Sequence, residues 1–228
     1  MINYTDFFIA IYSHECKSYC DEQFFKNLLQ SDIGDASIHV VDNTIHASYA
    51  ERIKDIIKSI NVHRNIHVSH IFVDRDDPTT QFQRNVAESL SFLRNIFLET
   101  KCKYFIIVES DVIPPADWLH YFMEVIDKAD IIGGIYYHGF HDIKLFEDPT
   151  IFQETHHVLS GCSLYKREVI EKIPFRWSTE NLGAFPDAWM SYDAHRNGNN
   201  FRLANYSKIQ CQHVDKPGSM TRGQETMR

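Results

Sequence analysis

The sequence predicts an α/β fold, a mixed but mostly parallel sheet flanked by helices. Three observations predict it. Short apolar runs of strand length alternate with amphipathic helical stretches through the first half, the pattern of parallel strands joined by right-handed crossovers. With 228 residues, 43% apolar and 24% charged, the chain has the size of one domain and would bury roughly 70% of its unfolded surface. No apolar run nears the roughly 20 residues that span a bilayer, and the longest candidate, Tyr104 to Val108, is strand-sized.

Phe7 to Tyr12 (FFIAIY) is a first strand, ending in the polar Ser13-His14-Glu15. Tyr19 to Leu29 sets Phe24, Phe25, Leu28 and Leu29 on one helical face. Ile38 to Val41 is a second strand, closed by Asp42-Asn43. Ser48 is a good N-cap for a helix carrying Ala50, Ile53, Ile56, Ile57 and Ile60. Ile66 to Val73 alternates as a third strand and runs into Asp74-Arg75-Asp76-Asp77-Pro78. Thr79 or Thr80 caps a longer helix to about Leu98, with Val86, Leu90, Leu93 and Phe97 inward. Tyr104 to Val108 is a fourth strand, followed by Glu109-Ser110-Asp111.

The second half is less regular. Pro114-Pro115 opens a helix to about Ile126. Ile131 to Tyr137 is a strand broken by Gly133-Gly134, and the polar, His-rich stretch from His138 to His156 matches no element. Val158 to Tyr165 is a strand with a short helix after it, through Lys172. Pro186 to Arg196 is helical and stops at Asn197-Gly198. Phe201 to Ala204 and Lys208 to Cys211 are two terminal strands. Without repeat or linker, the chain is expected to form one domain over 1–216 and a flexible tail over 217–228.

Composition narrows the function classes. Thirty-one acidic residues against 23 basic, a net charge of −8, disfavour a generic nucleic-acid coat protein. The N-terminus has neither the basic nor the apolar region of a signal peptide. The five scattered cysteines, Cys16, Cys20, Cys102, Cys162 and Cys211, read as free thiols of a reducing compartment, so a cytoplasmic location is expected. His14, Cys16 and Cys20 lack a fourth partner at zinc-finger spacing.

In open α/β sheets, ligands bind beyond the carboxyl ends of the parallel strands. Asp42, Asp74, Glu109 and Asp111 all stand at such ends. Carboxylates gathered on one edge suit a hard cation such as Mg²⁺ or Mn²⁺, or ribose hydroxyls. An acidic turn is also an ordinary way to leave a buried strand, so E-x-D alone leaves both readings open.

At these residues a family resemblance enters. FIIVESDVIPPADWLHYF resembles the D-x-D segment of GT-A glycosyltransferases, most like the family-2 inverting enzymes, which move a sugar from a nucleotide-sugar donor. Further segments agree in order. IHVVDN (38–43) resembles that family's second strand, and Gln83-Arg84-Asn85 its A-R-N stretch. VLSGCSLYKRE (158–168) resembles its strand of small residues followed by a basic pair. Pro186-Asp187 with MSYDAHRNGNNFRL resembles the segment that bears the catalytic base, and Cys211-Gln212-His213 the late V-x-H. The likeness covers roughly residues 5 to 216. It departs at Glu109 (an Asp in the family), at Pro186 (an acid there), and by an extra residue among Asn199 and Asn200.

The resemblance implies a GT-A, Rossmann-like fold with a nucleotide-sugar half (1–112) and an acceptor half (113–216). It implies metal-dependent transfer to an acceptor hydroxyl with inversion. Asp187 would be the base. Asp42 would meet the nucleobase, and Asp74, Arg84, Glu109, Ser110 and Asp111 would line the donor site. Mn²⁺ or Mg²⁺ would be held by Glu109, Asp111 and His213. The expected donor is a nucleotide-sugar, a UDP-sugar first. The acceptor hydroxyl belongs to a saccharide, small molecule or protein, with a modified DNA base also open.

Each role has a plainer rival. Asp187 at a helix start suits capping, His213 a hydrogen-bonded histidine, Arg84 a solvated charge or weak ion pair. Trp118 and Trp189 suit the core, and His138, His141, His156 and His157 suit loops. Two other classes stand beside the transferase. A nucleotidyltransferase would carry a Gly-rich or Lys-bearing phosphate loop after its first strand, and Ser13-His14-Glu15-Cys16 is not one. A binding module would keep the fold without the chemistry. The acidity itself predicts that an anionic donor arrives with a cation.

Overall fold

Every residue from Phe7 to Ser13 is buried, and that places β1 (Phe7–Ser13) at the middle of the sheet. In the computed structural model, which describes residues 3–73, 81–136, 147–178, 184–196 and 198–217, β1 runs parallel to β2 (Ser37–Asp42) on one side and β4 (Tyr104–Val108) on the other. β3 (Ile66–His70) extends the parallel set beyond β2. Alternate side chains of β1 take opposite faces. Phe7, Ile9 and Ile11 pack with Phe24 and Leu28 of α1 (Asp21–Gln30) and Ile53 of α2 (Ser48–Ser59). Phe8, Ala10 and Tyr12 pack with Val86, Leu90 and Phe97 of α3 (Gln81–Glu99). A strand covered on both faces is apolar throughout, which is why FFIAIY shows no alternation.

The second half continues the same sheet with mixed polarity. β8 (Cys162–Lys166) is antiparallel to β4 and to β6 (Ile131–Ile135). β9 (Leu203–Gln210) is parallel to β6, and β7 (Phe152–Glu154) closes the edge antiparallel to β9. The order is β3-β2-β1-β4-β8-β6-β9-β7, with β5 (Val112–Ile113) and β10 (Gln212–His213) forming a separate two-stranded ribbon. Helices α4 (Trp118–Val125), α5 (Arg167–Lys172) and α6 (Pro186–Ala194) complete a Rossmann-like α/β fold. Strands β2 and β4 flank β1 on opposite sides, so a crevice opens above the carboxyl ends of β1 and β4, the usual ligand position in such sheets.

Several local expectations are corrected. Ala47, not Ser48, stands at the cap of α2. The helix expected from Pro114-Pro115 begins only at Trp118. Ile113 and Pro114 each precede a proline, which biases them to extended backbone, and Ile113 pairs with β10. Gly133 and Gly134 do not end β6, but its register against β9 shifts between Gly133 and Ile135, and both glycines permit close packing. A Cβ on Gly133 would lie 2.7 Å from Asn205 Oδ1, and one on Gly134 2.8 Å from the carbonyl oxygen of Ile209.

The two expected terminal strands are one, because the polar residues between them are satisfied inside the fold. Ser207 Oγ accepts from the Ile151 amide at 3.0 Å, and the Tyr206 hydroxyl donates to Glu124 at 3.0 Å. β7 lies in the His-rich stretch that matched no element. Regular pairing after Val158 starts only at Cys162, and residues 158–161 form a loop at the crevice.

The Thr79 or Thr80 cap, Asp74, His138, His141 and the tail from Gly218 lie outside the described residues. Among the described residues no helix is long and apolar enough to cross a membrane. All five cysteines are free thiols, with Cys16 exposed and the others buried.

Candidate functional site

Where β1 ends, His14 turns the chain. Its Nδ1 accepts the Cys16 amide at 3.1 Å and its carbonyl accepts the Lys17 amide at 2.8 Å, shaping a 3-10 turn over Glu15–Lys17. That turn brings Lys17 onto the end of β4. Its Nζ lies 2.7 Å from Asp111 Oδ1 and 3.4 Å from Glu109 Oε2, and 5.7 Å from the centre of the Tyr12 ring. Burial alone would lower the lysine's pKa; Glu109 and Asp111 outweigh it and hold it above its ordinary value.

Glu109-Ser110-Asp111 continues the alternation of β4. Glu109 and Asp111 face the crevice, while Ser110 is wholly buried on the other side, its hydroxyl accepting from Ser13 Oγ at 3.3 Å. Glu109 Oε1 accepts a 2.5 Å hydrogen bond from Ser160 Oγ, and the Tyr12 hydroxyl also bonds the carboxylate. Burial pushes the Glu109 carboxyl up, but Lys17, Ser160 and Tyr12 together hold it below its ordinary value. Gly161 is required next to this serine, since a Cβ there would sit 2.4 Å from the Tyr136 ring.

Asp187 lies at the start of α6, with Pro186 at the first helical position. Its Oδ1 accepts the Ala188 amide at 2.8 Å and its Oδ2 the Ser160 amide at 3.3 Å. His157 Nε2 is 3.8 Å from Oδ2. Burial raises the Asp187 carboxyl; His157 pulls it back and Glu109 pushes it up again, leaving it above its ordinary value. The capping contact and a raised, cavity-facing carboxyl are both present. Ser160 therefore joins Glu109 to Asp187, one through its hydroxyl and the other through its amide.

Lys17, Glu109, Asp111, Asp187 and His213 line one cavity of about 530 Å³, walled by apolar groups such as Val86 and Phe185. That volume is in the range of small-molecule sites, roughly 300–1,000 Å³. A narrower hollow of about 60 Å³ adjoins it, sharing Tyr12, Lys17, Phe82 and Val86 and lined also by Asn43 and Asn85. Among the described residues Asn85 Oδ1 is buried without a hydrogen-bond partner. Buried polar atoms of this kind are rare and call for an explanation, a ligand among them.

The remaining sequence candidates fall elsewhere. Asp42 is completely buried, one oxygen accepting the Thr44 amide at 2.8 Å and the other lying 2.8 Å from His70 Nδ1. Arg84 lines neither hollow; its Nε is 3.9 Å from Glu88, and its guanidinium lies 5.5 Å from the Trp177 ring centre. Trp118 is fully buried, and Trp189 carries the Arg176 guanidinium at 3.8 Å. Lys17, Tyr12, Ser160 and His157 had no place in the sequence reading of the site. His157 was read as a loop histidine, and Lys17 stands one residue past the segment dismissed as a phosphate loop.

Asp111 tests whether a divalent ion fits. Lys17 takes its Oδ1, while Oδ2 lies 3.7 Å from His213 Nε2, near enough for both to reach one ion at ligand distances of about 2.1 Å. The pairing of β10 with β5 sets His213 opposite Val112, next to Asp111. Among the described residues no group of three or more His, Cys, Asp or Glu is arranged for a metal ion. Mg²⁺ commonly takes one or two protein carboxylates and completes its shell with water and substrate phosphates, so Asp111 and His213 fit such an ion. Glu109 lines the same cavity, with its carboxylate bonded to Lys17, Ser160 and Tyr12.

No protein-family model matches the chain, and no curated protein does. Solved structures share its fold. The chain superposes on Staphylococcus aureus TarS 1-349 in complex with UDP-GlcNAc with a TM-score of 0.65 at 14% identity, covering 93% of this chain and 59% of that one. Against TarS in a longer form the TM-score is 0.64, again at 14% identity, covering 92% of this chain and 37% of that one. Against the mannosyltransferase PcManGT from Pyrobaculum calidifontis, in complex with GDP-Man and Mn²⁺, it is 0.61 at 12% identity, covering 93% and 58%. The chain thus spans less than two thirds of each of these structures, and at such identities the likeness is one of fold.

Proposed function

We propose that the chain is a GT-A glycosyltransferase that moves a sugar from a nucleotide-sugar, a UDP-sugar first, to an acceptor hydroxyl with inversion. The observation that carries this reading is the pairing of Asp187, a buried carboxyl of raised pKa, with a cation-bearing cluster in one cavity. In the proposed step Asp187 takes the proton of the acceptor hydroxyl. The acceptor oxygen forms its bond to the anomeric carbon as the bond from that carbon to the diphosphate breaks, its electron pair leaving with the phosphate oxygen. Base help of this kind contributes about 10²–10⁴-fold. One base and direct displacement give inversion.

Asp111 and His213 would hold Mg²⁺ or Mn²⁺, which when bound neutralises charge on the departing diphosphate. The nucleoside would lie in the large cavity on the side of the narrow hollow that Asn43 and Asn85 line, and Asp42, wholly buried, lines neither. In this assignment residues 1–112 carry the donor and 113–216 the acceptor, a hydroxyl of a saccharide, small molecule or protein. The nucleotide-sugars held by TarS and PcManGT in structures of like fold support the reading.

The test is a panel of UDP- and GDP-sugars with Mn²⁺, read by released nucleoside diphosphate. Release that falls at least 100-fold in Asp187→Asn supports the proposal; binding without turnover on every donor would reduce the chain to a binding module. Lys17 after the first strand favours a second reading, nucleotidyl transfer, and release of sugar 1-phosphate instead of nucleoside diphosphate from the same donors would select it.

A further inference from the structure

The first acid of the E-x-D pair has an unforeseen partner. Glu109 Oε2 and Asp111 Oδ1 converge on one ammonium, that of Lys17, at 3.4 and 2.7 Å. The lysine side chain is 13% exposed, and Lys17 lines both the large cavity and the narrow hollow. In a nucleotide-sugar the diphosphate is the segment that joins nucleoside to sugar. With the nucleoside toward the narrow hollow and the sugar toward Asp187 in the large cavity, the diphosphate passes Lys17. An ammonium carries three N–H donors. Two are directed at Asp111 and Glu109, and the third has no partner among the described residues.

We propose that Lys17 is a catalytic residue: Glu109 anchors its ammonium, which binds the donor diphosphate and stabilises the nucleoside diphosphate as it leaves. This rests on the glycosyl-transfer reading of the same site. Asp111 would then serve two cations, Lys17, which lies at its Oδ1, and the divalent ion that Asp111 and His213 would hold. The charge count favours the arrangement. Glu109, Asp111 and an ionised Asp187 against Lys17 leave two negative charges in the cavity, which a divalent ion would neutralise before an anionic donor enters. Glu109 becomes the anchor of a lysine, where the sequence had suggested a metal or ribose ligand. A purely structural Lys17, present only to neutralise two buried carboxylates, would not distinguish a nucleotide from its nucleoside.

That difference is the test. Affinities of UDP, GDP, CDP and dTDP, and of their nucleosides, are measured by calorimetry in EDTA and again with Mn²⁺. Lys17→Met is expected to weaken the best diphosphate by about tenfold or more in both conditions, leave its nucleoside unchanged, and be rescued in part by Lys17→Arg. The paired variant Lys17→Met/Glu109→Gln, compared with Glu109→Gln, covers failure of the single variant to fold, since it leaves no unpaired carboxylate at Glu109. An unchanged ratio of diphosphate to nucleoside affinity in both comparisons would overturn the role of Lys17 and leave the transferase reading intact. Wild-type protein that binds no diphosphate in either condition would overturn both.

Discussion

The hydroxyl of Ser160 donates to Oε1 of Glu109 across 2.5 Å, tying the loop before β8 to the end of β4. The amide of the same serine is 3.3 Å from Asp187. Glu109 and Asp187 therefore share one residue, and their positions are coupled.

Ser160→Ala removes the hydroxyl and keeps the amide. The Glu109 carboxyl should move up toward its ordinary value. Stability should fall by about 1–3 kcal/mol, the usual cost of leaving a buried charged group short of a hydrogen bond. Urea unfolding of the two proteins checks the loss. A fall in catalysis with no change in stability would contradict this account.

Asp187→Asn should lower turnover by about 10²–10⁴-fold while leaving nucleoside diphosphate affinity unchanged. Because the Asp187 carboxyl is raised above 3.8, the acid limb of the kcat/KM profile, which reports the free enzyme, should lie above that value. His157 works against the rise, so His157→Ala should move the limb to higher pH. Movement to lower pH would show that His157 does not act on this carboxyl.

The ion pair gives stability two boundaries. Glu109 is depressed below 4.5 in the folded protein, so its contribution is full above that pH and is lost as pH falls through the folded value. Lys17 is raised above 10.5, so its contribution is full below that pH and is lost as pH rises through the folded value. Unfolding free energies of wild type and Glu109→Gln should differ most near neutrality and converge in acid. Those of wild type and Lys17→Met should converge in strong alkali.

Metal binding separates the carboxylates by role. His213→Ala should abolish Mn²⁺ binding seen by electron paramagnetic resonance in the presence of a nucleoside diphosphate. Glu109→Gln should leave the Mn²⁺ signal in place. Loss of the signal in Glu109→Gln would return that residue to the metal.

Gly161→Ala tests the packing beneath the site. A methyl group there would press on the Tyr136 ring, and overpacking of this kind costs about 1–3 kcal/mol. Its carbonyl also accepts the Glu109 amide at 2.9 Å, so diphosphate affinity should fall together with the melting temperature.

By itself the sequence determined the parallel strands β1 to β4, the helices between them, and the acids at their carboxyl ends. Those features are local. Apolar periodicity reports which faces are buried, and a strand end is marked by the first polar residues after it. That reasoning led to Glu109 and Asp111, and the family resemblance to Asp187 and His213; the fold gathers all four in one cavity. It could not tell that Gly133 and Gly134 serve close packing, because a glycine that breaks a strand and one that admits a neighbour look alike.

Only the tertiary structure decided what each acid meets. Asp42 meets His70 because the register of β2 against β3 sets the two opposite each other. Glu109 holds a lysine because a turn capped by His14 carries Lys17 from the end of β1 to the end of β4, 92 residues away in the chain. Ser160 reaches two carboxylates because β8 runs antiparallel to β4 and brings its preceding loop to the crevice. Such partners are fixed by strand order and register, which relate distant segments, and the pattern of neighbouring residues carries no record of them.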